Sequence, residues 1–191
     1  MTKSRLPFVS FLLLLFVGCS SYYSTVKQTP LTGDLKSYRA LNVGWLDLGE
    51  EKYKNYGYEE KDKATWFNTV SDANLKGLPQ YLKEYISDRA INVVKAKGEM
   101  PTPDGLVILF TDVNYNQQTS SAAQVMFGSA GGSDTLDVTV HFVDGRSGKE
   151  IYAASINITS KAGMGYSSMG FEGRVNNTVY NLARFISEKI Q

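Results

Sequence analysis

DTLDVTVHFVDGRSGKEIYAASINIT, residues 134–159, decides the fold class. Leu136, Val138, Val140 and Phe142 occupy every second position, and so do Tyr152, Ala154, Ile156 and Ile158. A period of two puts each set on one face of an extended strand. Between the two runs, residues 144–149 (DGRSGK) are turn formers, so the stretch reads as an antiparallel hairpin with one apolar face. Such a face needs a cover. Residues 171–190 supply one: Val175, Val179, Leu182, Ile186 and Ile190 form a helical stripe, with Arg174, Asn177, Asn181, Arg184 and Glu188 elsewhere. Residues 78–89 supply a second, with Leu78, Leu82, Tyr85 and Ile86 on one side and Pro79 in the first turn, where its missing N–H is harmless.

Working outward, residues 106–115 (LVILFTDVNY) open with five apolar residues and then alternate, as a central strand does when one end is covered on both faces. Residues 40–48 and 91–94 read as further strands, and residues 64–70 as a short helix or turn packing Trp66 and Phe67. Residues 49–62 form a loop of mixed charge; residues 98–105 and 162–170 are loops by their Gly, Pro and Ser content. Residues 116–133 are polar and glycine-rich around Val125, Met126 and Phe127, and read as a long loop. The expectation is one α+β domain over residues 39–191, a mostly antiparallel sheet of about four to five strands packed by two main helices.

The N-terminus has a separate character. Lys3 and Arg5 precede an apolar run over residues 6–17, shorter than the about 20 residues a membrane-spanning helix needs, so it reads as a secretory signal. Gly18 then stands before Cys19, the only cysteine in 191 residues. Phe16-Val17-Gly18-Cys19 resembles the lipobox of bacterial lipoproteins, with Phe in place of the usual Leu. The resemblance implies cleavage after Gly18, removal of residues 1–18 as a signal peptide, and a diacylglyceryl group on Cys19 with a further acyl chain on its amine. Several chains together hold a protein to a bilayer durably, where one does so only marginally. With Cys19 acylated, no thiol remains for nucleophilic catalysis, a disulfide or a thiolate metal site. Ser20 and Ser21 follow, without the Asp that favours inner-membrane retention, so the outer membrane facing the periplasm is expected. Residues 19–38 read as the lipidated N-terminus and a tether, which fully extended could reach roughly 60 Å at about 3.3 Å per residue.

The order of elements also resembles periplasmic lipoprotein domains related to the curli-secretion channel protein and to lipoprotein activators of penicillin-binding proteins. The residues that carry it are the strand ending at Asp144, the Gly148-Lys149 turn and the strand from Ile151. No functional residue transfers. The paired amphipathic spans of about 10 residues that a pore would need are not evident.

Composition narrows the chemistry. Loss of Lys3 and Arg5 with the signal takes the formal charge from +1 to −1, which leaves no basic stripe for nucleic acid. His141, the only histidine, falls on the polar side of its strand and reads as a surface residue; as a general base it would need a nucleophile and an orienting partner. Asp134, Asp137 and Asp144 lack calcium-loop spacing, so no metal is expected, and no cofactor either. The glycine-rich run from Gly128 to Gly132 leads into a strand rather than a helix, unlike a phosphate loop. Glu50 and Glu59 sit in a charged loop without an apolar pocket signal and receive no glycosidase role. Tyr22, Tyr23, Tyr53, Tyr56 and Tyr58 read as decoration of exposed loops. The expectation is a non-enzymatic, membrane-anchored module that binds a protein or envelope polymer through residues 49–62 and 116–133. The alternatives are an envelope hydrolase using His141 and an oligomeric secretion accessory.

Overall fold

The computed structural model describes residues 22–49, 63–119, 132–161 and 171–191. Gly18, Cys19, Glu50, Glu59, Tyr53, Tyr56, Tyr58 and residues 128–131 of the glycine run lie outside them. Six strands, β1 (Tyr22–Gln28), β2 (Ala40–Val43), β3 (Ala90–Val93), β4 (Leu106–Thr119), β5 (Gly132–Asp144) and β6 (Glu150–Lys161), form one sheet in the order β1-β6-β5-β4-β2-β3. The β1/β6, β6/β5 and β5/β4 pairs are antiparallel, whereas β2 runs parallel to both β4 and β3. The α+β class holds and most of the strand pairs are antiparallel as expected, but the sheet has six strands rather than four or five and is mixed, with two parallel pairs. The parallel pairs arise because β2 returns to β3 through a helical crossover rather than a hairpin.

That crossover is longer than the periodicity of residues 78–89 suggests. Helix α1 (Lys63–Asp72) passes through a π turn (Ala73–Gly77) into α2 (Leu78–Tyr85), and the chain leaves the helix at Ile86. Pro79 has no N–H to give an earlier carbonyl, so the regular ladder cannot run through this point, and one wide turn absorbs the break. The π turn also places Asn74 inside the protein. Its carboxamide accepts from the Leu46 N–H at 2.7 Å and donates to the carbonyls of Leu46 at 3.1 Å and Val70 at 3.0 Å. Residues 44–48 were expected to continue the first strand, but it ends at Val43; Gly44 still donates to the Ile108 carbonyl, and Leu46 is held by the Asn74 side chain.

The hairpin behaves as its alternation requires. Leu136, Val138, Val140 and Phe142 of β5 and Tyr152, Ala154, Ile156 and Ile158 of β6 are buried against α3 (Phe171–Ile190) and the α1–α2 unit. Phe142 meets Phe185 with ring centroids 6.5 Å apart, and Trp66 meets Tyr115 at 6.2 Å. All five residues of the α3 stripe are fully buried.

Residues 22–28 depart most from expectation. Assigned to a tether, they form β1, an edge strand paired with β6 from Tyr22↔Thr159 to Gln28↔Ala154 with a bulge between Thr25 and Lys27. Ladder hydrogen bonds hold such a strand with little burial, so its sequence carries scant apolar alternation. Tyr23 pins it to the helical layer, with its ring edge-on to Phe185 at 5.4 Å and its hydroxyl donating to Glu188. Burial first, then that carboxylate, pushes the Tyr23 phenol up to about 12. The 116–133 loop is likewise shorter than expected, since residues 116–119 belong to β4 and residues 132–133 to β5.

Candidate functional site

Alternation that buries Val138 and Val140 must turn Asp137, Thr139 and His141 to the other side, away from the helices. β4 adds Thr111, Asp112 and Asn114 there, and β6 adds Ser155 and Asn157, opposite Thr139 and Asp137 respectively. The three strands thus present a polar carpet. Its hydrogen bonds run sideways: Asn157 donates to Asp137 at 2.7 Å, and Thr139 Oγ1 lies 3.0 Å from Ser155 Oγ.

At the centre of this face the β4 register slips between Thr111 and Asn114. Asp112, inside the bulge, has φ of +50°, and it is the one non-glycine residue with positive φ among those described. Asp tolerates this left-handed conformation better than most residues, but the conformation is still costly and needs support from its surroundings. The bulge brings Asp112 Oδ2 to 3.1 Å from Thr139 Oγ1 and 3.3 Å from Thr111 Oγ1. His141 completes the cluster, with Nδ1 2.6 Å from Glu150 Oε2 and Nε2 2.8 Å from Thr111 Oγ1.

Proton bookkeeping limits the states of this cluster. With Nδ1–H donated to Glu150, a neutral His141 accepts the single Thr111 proton at Nε2, and Asp112 takes its hydrogen bond from Thr139. When His141 is protonated, Nε2–H donates to Thr111, which frees the Thr111 proton for Asp112. The Thr111 hydroxyl can therefore turn its hydrogen bond from the imidazole to the Asp112 carboxylate, while Thr139 keeps Asp112 partnered in either arrangement.

The other carboxylates singled out from sequence do not converge. Asp134 lies on the helix side, fully buried, with Arg174 Nε 3.0 Å from both its oxygens and the Tyr115 hydroxyl donating as well. Burial pushes the Asp134 carboxyl up, and Arg174 and Tyr115 oppose that. Asp144 lies in the β5–β6 turn. Hydrogen bonds from the Tyr38 hydroxyl and from Ser147 hold its carboxyl down at about 2, while burial, ahead of the Asp144 carboxylate, pushes Tyr38 up to about 12. No three His, Cys, Asp or Glu among the described residues are placed to hold a metal ion. An open groove of about 670 Å³ between α2 and the β3 edge has a mixed lining, with Leu75, Pro79, Ile91 and Val93 beside Lys76, Gln80, Lys83 and Glu84.

Sequence reasoning found His141 and missed Thr111, Asp112, Glu150 and Arg174. A signal existed for the bulge: Leu106 and Ile108 share the buried face with Tyr115, which lies an odd number of residues further on, so the alternation must change phase between them. For Arg174 the signal was weaker. Arg174, Thr178 and Asn181, all buried, follow i, i+4, i+7 spacing beside the apolar stripe.

No family model matches the chain. No curated protein matches it. Among solved structures, a leucine-to-methionine variant of the PelC dodecamer from Paraburkholderia phytofirmans is similar at 13% identity and a TM-score of 0.43, over 89% of this chain and 97% of that one. The PelC dodecamer in another crystal form is similar at 11% identity and 0.41, over 86% and 95%. A neuraminyllactose-binding hemagglutinin homolog from Helicobacter pylori is similar at 12% identity and 0.35, over 85% and 89%. Likenesses this distant carry no argument about the present chain.

Proposed function

We propose that this protein is a lipid-anchored envelope lipoprotein, acylated at Cys19 after removal of residues 1–18, that works by binding rather than catalysis. Its partner is a protein or polymer of the envelope, met on the periplasmic side of the outer membrane, and no nucleic acid is involved. The anchor confines the domain near the membrane and raises its effective concentration toward a partner there. The binding surface is the polar face of β4, β5 and β6. The observation that carries this choice is Asp112: a strained carboxylate, propped by Thr111 and Thr139 at the middle of a face turned away from the helices, is the kind of feature that function rather than folding retains.

A photo-crosslinking residue at Thr139 tests the surface in intact cells, with Tyr180 on α3 as the control position. Adducts from position 139 and few from 180 are expected, and Thr139→Arg should abolish capture while cooperative unfolding is retained. Equal adducts from both positions contradict the choice of face.

One observation favours a second reading, hydrolysis through His141. Glu150, His141 and Thr111 form an acid–imidazole–hydroxyl chain at 2.6 and 2.8 Å, the order a general base and its nucleophile require. The site is open, with the His141 and Glu150 side chains 24% and 44% exposed, which gives a developing charge little shelter from water. A cellular phenotype that survives His141→Ala and Glu150→Gln disposes of this reading.

A further inference from the structure

The sheet has two edges, and they are finished differently. β1 carries a bulge between Thr25 and Lys27, with that lysine beside it, and both features discourage a further strand. β3 is regular over Ala90–Val93, holds no charge or proline, and pairs with β2 alone among the described residues. The N–H groups of Ala90 and Val94 donate to the carbonyls of Arg39 and Val43 at 3.0 and 3.1 Å, so they face β2. Alternation then turns the N–H and C=O of Ile91 and Val93 to the open side, where no described residue meets them.

The side chains of the same two residues line the groove of about 670 Å³ against α2, while Asn92 turns the other way and donates to Asn42 at 2.9 Å. Leu75 and Pro79 extend the apolar part of the lining. Its charged part is two lysines, Lys76 and Lys83, against the single Glu84. Lys76 pairs with Asp72 at 2.9 Å on the exposed helix surface, a contact that contributes little and is readily exchanged. Lys83 has no ion pair among the described residues. The surroundings do not reverse this sign: at the ends of β3, Arg39 meets Asp88, and Glu99 accepts from the Lys95 N–H, while Arg89 is turned to the Ile190 carbonyl.

We propose that the β3 edge takes an extended peptide of a partner protein as an added strand, with one apolar side chain, flanked at two-residue spacing by acidic ones, directed into the groove. Main-chain hydrogen bonds to Ile91 and Val93 supply attachment, and the alternate side chains that enter the groove supply selectivity. The spacing agrees. Seven residues from Lys76 to Lys83 rise about 10 Å along the helix, and acidic residues four apart on a strand stand about 13 Å apart, a difference that lysine side chains absorb. The groove lies on the helix side of the sheet, so this surface is separate from the polar face of β4, β5 and β6 and does not depend on it.

A second copy of the chain fits less well. Its β1 is the guarded edge. Two β3 edges brought together would set Lys76 and Lys83 of one copy against those of the other, with one Glu84 on each side to answer them.

The test is fluorescence anisotropy of the full chain with a labelled, end-blocked peptide, Glu-Thr-Val-Thr-Glu, whose pattern is the same in either direction. Saturable binding that weakens with salt is expected, and none to Lys-Thr-Val-Thr-Lys. N-methylation of one alternate set of peptide amides should abolish binding, and methylation of the other set should leave it. Ile91→Pro removes an outward N–H without touching the ladder to β2, and should weaken binding about tenfold. Lys83→Glu should weaken it about tenfold as well, with cooperative unfolding retained, and stands in for Ile91→Pro should that variant fail to fold. No saturable binding, equal binding of the lysine peptide, or indifference to both methylated sets overturns the proposal. So does self-association of the chain that Ile91→Pro or Lys83→Glu dissolves, since the occupant is then a second copy.

Discussion

The two faces of β5 are built from neighbouring residues and do opposite things. Leu136, Val138, Val140 and Phe142 are buried against the helices, while Asp137, Thr139 and His141 form a sideways hydrogen-bonded layer that reaches solvent. The difference teaches where stability resides. Apolar burial scales with the area removed from water, whereas exposed polar pairs exchange one set of hydrogen bonds for another at little net gain. A polar face that contributes little to folding, yet holds a strained Asp112 in place, is free to serve recognition.

That division can be broken by substitution, beginning with the covered face. Phe142→Ala should lower stability by about 3–5 kcal/mol, measured by urea unfolding, because it removes the ring that packs on both Phe185 and Tyr152. Arg174→Ala should destabilise by a comparable about 3–5 kcal/mol, since it strands a buried carboxylate beneath α3. Replacing the pair together, with Asp134→Leu and Arg174→Met, should recover much of that loss.

Smaller effects sharpen the comparison at the margins of the sheet. Tyr23→Phe keeps the contact with Phe185 but removes the hydroxyl given to Glu188, and should lower stability by about 0.5–1.5 kcal/mol. Asp144 gives a signature in acid. Its carboxyl titrates near 2 in the folded chain against an ordinary 3.8, so its contribution is fully present above the ordinary value and is lost as pH falls through about 2. Asp144→Asn should therefore flatten the acid limb of a stability–pH curve in that window and leave the slope at neutral pH unchanged. At the small end, Thr139→Ala on the open face should shift stability by no more than about 0.5 kcal/mol while weakening partner capture. A loss as large as that of Phe142→Ala would mean the polar layer is structural after all.

The parts legible from sequence were those that burial dictates. The β5–β6 alternation and the α3 stripe follow from a solvent that penalises exposed apolar surface, and both faces came out as read. Elements held by hydrogen bonds rather than burial were not legible. β1 is an exposed edge strand fixed by its ladder with β6, and its residues gave no period to read. The parallel arrangement of β2 depends on a crossover whose π turn carries Asn74 to the backbone of Leu46, and no local pattern announces a side chain that bonds a distant backbone. In the candidate site, His141 was visible as a residue type. Its partnership with Thr111 and Glu150 is a matter of register, set by a bulge that only a phase change in β4 betrayed.

The measurement that bears most directly on the proposed lipid anchor is the intact mass of the native chain, followed by sequencing of its first peptide. The prediction is a mature chain that begins at Cys19 and carries a thioether-linked diacylglyceryl group and an acylated amine. An unmodified thiol, or a first residue other than Cys19, would contradict it.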